Sequence, residues 1–177
     1  MKMNIGIRKK LEKIKLLIMD VDGVLTPGYI LISSSGKEIK VFDVQDGFGI
    51  MLWRKAGLRS AIITAGRAPA VKYRAECLKV DKVYQHARDK SVAYKTLKKL
   101  FNVSDDQICF IGDDLIDIPV LKKVGFPCVV PNAHHDMKCY GYYICKASGG
   151  RGAVREVIDM ILKAKGLWLE VTKDYLG

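Results

Sequence analysis

Four short apolar runs, each ending at once in turn-forming or acidic residues, constrain this chain more than any other feature. They are KLLIMDV (15–21) before DGVLTPG, SAIIT (60–64) before AGR, QICFIG (107–112) before DD, and PCVV (127–130) before PN. A continuous apolar run of this length, bounded by turn residues, suits a strand buried on both faces of a parallel sheet. Between the runs lie segments with helical spacing, at 49–55, 68–78, 91–101 and 116–123. Ser104, Asp105 and Asp106 mark a turn before the third run. Strand and helix in alternation predict an α/β fold with a parallel sheet flanked by helices. The segment 28–44 breaks the alternation: two β-rich arms, YILI and IKVF, surround the polar turn SSSGKE, which predicts a β-hairpin insertion. Near the C-terminus, Val154, Val157, Ile158, Ile161 and Leu162 give residues 153–165 one apolar helical stripe.

The length of 177 residues fits a single domain, 1–177, with a sizeable core. No apolar run is long enough to span a bilayer, and the basic N-terminus lacks the apolar stretch and cleavage site of a secretory signal. A cytoplasmic location is therefore expected, with no membrane partner. Cys77, Cys109, Cys128, Cys139 and Cys145 form no CxxC pair, which argues against a zinc site or a disulfide framework and agrees with a reducing compartment. The formal charge is +11, and six basic residues fall in the first fifteen positions. Such a balance attracts anions of many kinds. No zinc-finger spacing and no RNP-like aromatic run accompanies it, so the charge alone does not call for nucleic acid, and the basic segment reads as a solvated helix face.

Ligands of open α/β sheets bind beyond the carboxyl ends of the strands. Here the first run delivers Asp20 and Asp22 to that edge, the second Thr64, and the third Asp113, Asp114 and Asp117. Gathering several carboxylates in one place costs free energy unless a cation or donors compensate. An oxygen-rich set of this kind favours Mg²⁺, which shares its coordination with waters and substrate phosphates. Asp20 and Asp22, two residues apart in extended chain, point to one side. One of the pair can then attack phosphorus while the other gives and takes a proton.

DVDGVLT, the strand ending in Thr64, Lys90 and GDDLID, in that order, resemble the four motifs of the haloacid dehalogenase superfamily. FDVQDGFGI (42–50), YQHARDK (84–90), GDDLIDIPVL (112–121), GGRGAVREV (149–157) and the short hairpin in place of a large cap are similar to its capless subfamily, the 3-deoxy-D-manno-octulosonate 8-phosphate phosphatase family. The resemblance covers nearly the whole chain and implies a Rossmann-like sheet, a phosphorylated sugar-acid substrate and Mg²⁺. It implies that Asp20 is the nucleophile and Asp22 the general acid/base. It implies further that Asp20, Asp113 and the backbone carbonyl of Asp22 bind the metal, with Asp114 and Asp117 behind them. Thr64, Gly66 and Lys90 would meet the phosphoryl group, and Arg67 and Arg151 the rest of the substrate. One departure stands out. The relatives read TGR where this chain reads Thr64-Ala65-Gly66-Arg67, so either the arginine sits one place later or the loop is rebuilt. His134 and His135 are expected on the surface, and Trp53 and Trp168 in packing.

Two other functions compete. A similar domain attached to some acylneuraminate cytidylyltransferases is a non-catalytic oligomerisation module, and the positive charge would serve a nucleic-acid binder. The full motif set in a chain that reads as freestanding favours the enzyme, whether for the sugar acid or for another small phosphometabolite. The hairpin's apolar arms and the resemblance together predict a homotetramer in which the hairpin helps to cover a neighbour's active site.

Overall fold

A computed structural model describes residues 5–176. Six strands form one parallel sheet: β1 (Leu16–Met19), β4 (Arg59–Ile63), β5 (Lys82–Tyr84), β6 (Ile108–Gly112), β7 (Phe126–Val129) and β8 (Tyr143–Ile144). Their order across the sheet is β5-β4-β1-β6-β7-β8, all pairs parallel. β1 is therefore central, with Leu16 opposite both Arg59 of β4 and Ile108 of β6. The chain passes from β1 to β4 on one side and later reaches β6 on the other, so the carboxyl end of β1 is the switch point at which such sheets open a crevice.

Alternation along the buried strands sorts the core onto two faces. Leu17, Met19, Ile62, Cys109, Ile111 and Cys128 pack with residues of α2 (Val44–Lys55), α3 (Pro69–Leu78) and α6 (Ala153–Ala164). Leu16, Ile18, Ala61, Ile63 and Phe110 pack with α4 (Lys90–Phe101) and α5 (Ile118–Leu121). The predicted stripe on α6 is buried at every one of its five positions. At the N-terminal side, α1 (Ile5–Lys13) is more than a solvated face, because Leu11 and the following Ile14 are fully buried. Trp53 is buried, and Trp168, on the last helix α7 (Trp168–Leu176), packs against the core.

The hairpin is shorter than its sequence span. Only β2 (Leu31–Ile32) and β3 (Glu38–Ile39) pair, antiparallel, around a turn at Ser33–Lys37. Residues 40–44 leave the ladder for other tasks: Phe42 packs on the core, and Asp43 caps α2 by accepting from the N–H groups of Gln45 and Asp46 at 2.6 and 3.1 Å. α2 consequently starts five residues before the expected helix. Its Gly47 and Gly49 blur the apolar spacing there, because each clears room for an arginine, Arg74 and Arg155 respectively. Among the described residues there is no cap domain over the sheet edge, and no helix is long and apolar enough to cross a membrane.

Candidate active site

The carboxyl end of β1 is built around one carbonyl. Val21 O accepts from the N–H groups of Val24, Leu25 and Thr26 at 3.2, 2.9 and 3.0 Å, and from the Thr26 hydroxyl at 3.3 Å. That turn folds the chain back directly after Asp20 and leaves the 20–22 segment at the edge. Asp20 itself is tied to the neighbouring strand, its N–H donating to Ile111 O at 3.1 Å. Gly23 has φ +85°, and a Cβ there would lie 2.0 Å from Asp113 Oδ2. Glycine is thus required both by its left-handed backbone and by the carboxylate that packs against it.

Four groups converge below this turn. Lys90, the first residue of α4, is fully buried and reaches Asp20 Oδ1 at 2.7 Å and Asp117 Oδ1 at 2.6 Å. An ammonium at a helix N-terminus opposes the helix dipole, so the two carboxylates must hold it there. Burial pulls its pKa down, and Asp20 and Asp117 more than offset that, leaving it raised. Asp117 uses its other oxygen to accept from the N–H of Asp113 at 2.9 Å and of Asp114 at 3.3 Å, which fixes the loop after β6. A Cβ at Gly112 would meet that same oxygen at 2.6 Å, so only glycine lets the carboxylate sit so close. Asp114 is exposed and caps the turn Leu115–Asp117 through Leu115 N–H at 2.7 Å.

The charges in this cluster do not balance. Oxygens of Asp20, Asp113 and Asp117 lie within 4.8 Å of one another, against one ammonium. Burial, opposed by Lys90, pushes the Asp20 carboxyl up to about 6. Burial, with Asp20 and Asp117 beside it, pushes Asp113 up to about 8. Carboxyls held so far above their ordinary range need a positive charge to ionise. The donor set is all oxygen, which fits a hard divalent cation such as Mg²⁺.

A solvent-open cleft of about 550 Å³ lies over the cluster, lined by Asp20, Asp22, Gly28, Thr64, Ala65, Gly66, Asp113, Asp114 and Ile116. Thr64 is buried and held by β5 and the loop after it: its N–H donates to Tyr84 O at 2.9 Å, and its carbonyl accepts from Ala87 N–H at 3.0 Å. Its hydroxyl accepts from Gly66 N–H at 3.0 Å. The TAGR loop thus keeps Thr64 and Gly66 at the cleft, whereas Arg67 is exposed and lines no part of it. Arg151 is likewise exposed and absent from the lining. The backbone of its loop braces the Asp20 turn from behind: Gly150 N–H donates to Val24 O at 2.8 Å, and Asn132 bridges Gly149 N–H (2.7 Å) to Gly23 O (3.0 Å). His134 and His135 are exposed, as expected.

Three contributors carry no spacing signal. Lys40 of the hairpin pairs with Asp22 and, at 2.5 Å, with Glu38. Asn132 follows the fourth apolar run without a motif of its own. Asp46 is buried within the FDVQDG stretch and accepts from the N–H groups of Gly152 (3.3 Å) and Arg155 (2.8 Å), anchoring the start of α6.

The sequence of residues 72–158 matches the haloacid dehalogenase-like hydrolase family. The 3-deoxy-D-manno-octulosonate 8-phosphate phosphatase KdsC of Escherichia coli K12 is 41% identical over 157 residues, covering 89% of this chain and 84% of the relative. The chain belongs to the haloacid dehalogenase-like hydrolases. Solved structures place this hydrolase among the same phosphatases. The Yersinia pestis enzyme superimposes with a TM-score of 0.91 at 40% identity, covering 93% of this chain and 89% of that one. The Moraxella catarrhalis enzyme, in complex with magnesium, phosphate and a KDO molecule, gives a TM-score of 0.93 at 37% identity over 96% of this chain and 98% of that one.

Proposed function

We propose that this hydrolase is a Mg²⁺-dependent phosphatase that releases phosphate from 3-deoxy-D-manno-octulosonate 8-phosphate. The observation that carries the reading is the cleft itself. A buried carboxylate, Asp20, is braced by a buried lysine, opens to solvent beside Thr64, and sits in a chain 41% identical to KdsC. Asp20 attacks phosphorus and Asp22 protonates the departing sugar oxygen, then removes a proton from the water that cleaves the aspartyl-phosphate. Lys90 offsets the charge that gathers between Asp20 and the phosphoryl oxygens. Thr64 and the Gly66 backbone hold the phosphoryl group against that pair. Asp20, Asp113 and the carbonyl of Asp22 would hold Mg²⁺, with Asp117 and Asp114 fixing the loop behind them. When bound, the ion supplies charge neutralisation for carboxylates and phosphoryl oxygens that would otherwise repel.

Arg67 and Arg151 stand outside the cleft of one chain, so a part for them in substrate recognition goes with assembly. We infer that the protein is a cytoplasmic homotetramer in which hairpins close neighbouring clefts. The support is a band of exposed apolar side chains on and beside the hairpin, with Ile30 at 71%, Ile32 at 61% and Val44 at 79% exposure. The chain reads as one domain throughout. Phosphate release from a panel of phosphorylated sugars and sugar acids, with Mg²⁺ and with excess chelator, tests the function. The sugar-acid phosphate is expected to be hydrolysed fastest, and only with the metal. Full activity in chelator with no metal bound, or preference for an unrelated phosphate ester, would refute it.

A further inference from the structure

Lys40 stands on a solvent-exposed hairpin, yet its side chain is only 2% exposed. The ammonium is drawn in between two carboxylates, Asp22 at the mouth of the cleft and Glu38 two residues back on β3, the latter at 2.5 Å. On Asp22 the contact is made to Oδ1 alone. The other oxygen, Oδ2, points to the Thr64 side of the cleft: both Oδ2 and the Thr64 hydroxyl lie 3.3 Å from where a Cβ of Gly66 would stand. An ammonium has three donors and no acceptor. The carbonyl oxygen of a protonated carboxyl is a better acceptor than its hydroxyl oxygen, so the Lys40 contact favours Oδ1 as the unprotonated oxygen and a proton on Asp22 on Oδ2.

We propose that Lys40 is a positioning residue for proton transfer, holding Oδ1 of Asp22 so that Oδ2 faces the departing oxygen, with Glu38 holding Lys40 in turn. The inference rests on the phosphatase reading. In the first step a bond forms between an Asp20 oxygen and phosphorus, and the bond from phosphorus to the sugar oxygen breaks. That oxygen keeps the electron pair and takes the proton from Oδ2. In the second, water oxygen bonds to phosphorus, the Asp20–phosphorus bond breaks, and Oδ2 takes a proton from the water, which restores both carboxyl groups. The small hairpin, proposed to close a neighbour's cleft, thus also orients the acid of its own.

The test compares kcat/KM, which reports the steps through formation of the aspartyl-phosphate, on two esters. A sugar phosphate leaves as a basic alkoxide and needs the proton, whereas 4-nitrophenyl phosphate leaves as a weakly basic phenolate and does not. Lys40→Met is expected to lose about 10²-fold on the sugar phosphate and less than about fivefold on the aryl ester, with Lys40→Arg recovering most of the loss. Glu38→Gln loosens Lys40 without touching Asp22, and should show the same imbalance at smaller size. Equal losses on both esters in either variant, or no loss in Lys40→Met, would overturn the proposal. Wild-type protein that hydrolyses neither ester with Mg²⁺ would overturn the functional reading, and this inference with it.

Discussion

Lys90 holds the cleft together by answering two carboxylates from full burial, and its removal would strand Asp20, Asp113 and Asp117 facing one another. Lys90→Met is therefore expected to destabilise the metal-free protein by about 3 kcal/mol in urea denaturation. Mg²⁺ should return part of that, since a bound cation answers the same charge; a variant as stable as wild type without metal would contradict the charge balance described. Asp20→Asn is nearly isosteric, is expected to keep the fold, and replaces the proposed attacking oxygen by an amide group that is a poor nucleophile. Turnover should fall by more than about 10³-fold while the melting curve stays cooperative, and near-wild-type phosphate release would remove Asp20 from the mechanism. The carboxylates and Thr64 were legible in the sequence because each closes an apolar run. Lys40, Asn132 and Asp46 were not, because their partners lie 18, 109 and 106 positions away and no local pattern encodes such a contact.

Each buried strand could be read from its apolar run, whereas β5 and β8, the two edge strands, could not. KVY and YI are only three and two residues long and half exposed, too short for any periodicity to register. The hairpin was legible as a hairpin, but its second arm is cut short where Lys40 turns inward and Asp43 caps α2. At the start of α6, Asp46 joins α2 to the braced 149–152 loop. Burial pushes its carboxyl up to about 6, only partly offset by the N–H groups of Arg155 and Gly152. The sign follows from linkage. A native carboxyl with a raised pKa binds its proton more tightly than the unfolded chain does. Between its ordinary value of 3.8 and about 6, stability falls as pH rises. The whole effect is on the order of 3 kcal/mol, spent by neutral pH. Asp46→Asn should remove that part of the slope, read as the difference between urea profiles of variant and wild type. Parallel profiles would show that Asp46 ionises as freely in the fold as in the open chain.

At the scale of the molecule, the +11 charge and the apolar hairpin point in different directions, one to anions and the other to copies of the same chain. Sedimentation velocity should show a tetramer that loses its assembly when residues 30–41 are deleted; a fully active monomer at assay concentration would contradict the shared-cleft arrangement. In the proposed mechanism, Asp20 takes the phosphoryl group from the sugar acid with Mg²⁺ present. The most direct measurement is rapid acid quench during turnover of 3-deoxy-D-manno-octulosonate 8-phosphate, followed by mass analysis of the peptide that contains Asp20. This peptide is expected to gain one phosphoryl group on Asp20, only with Mg²⁺, and Asp20→Asn is expected to show none. Steady turnover with no phosphoryl group on the protein at any quench time, or the group on another residue, would contradict the proposed mechanism.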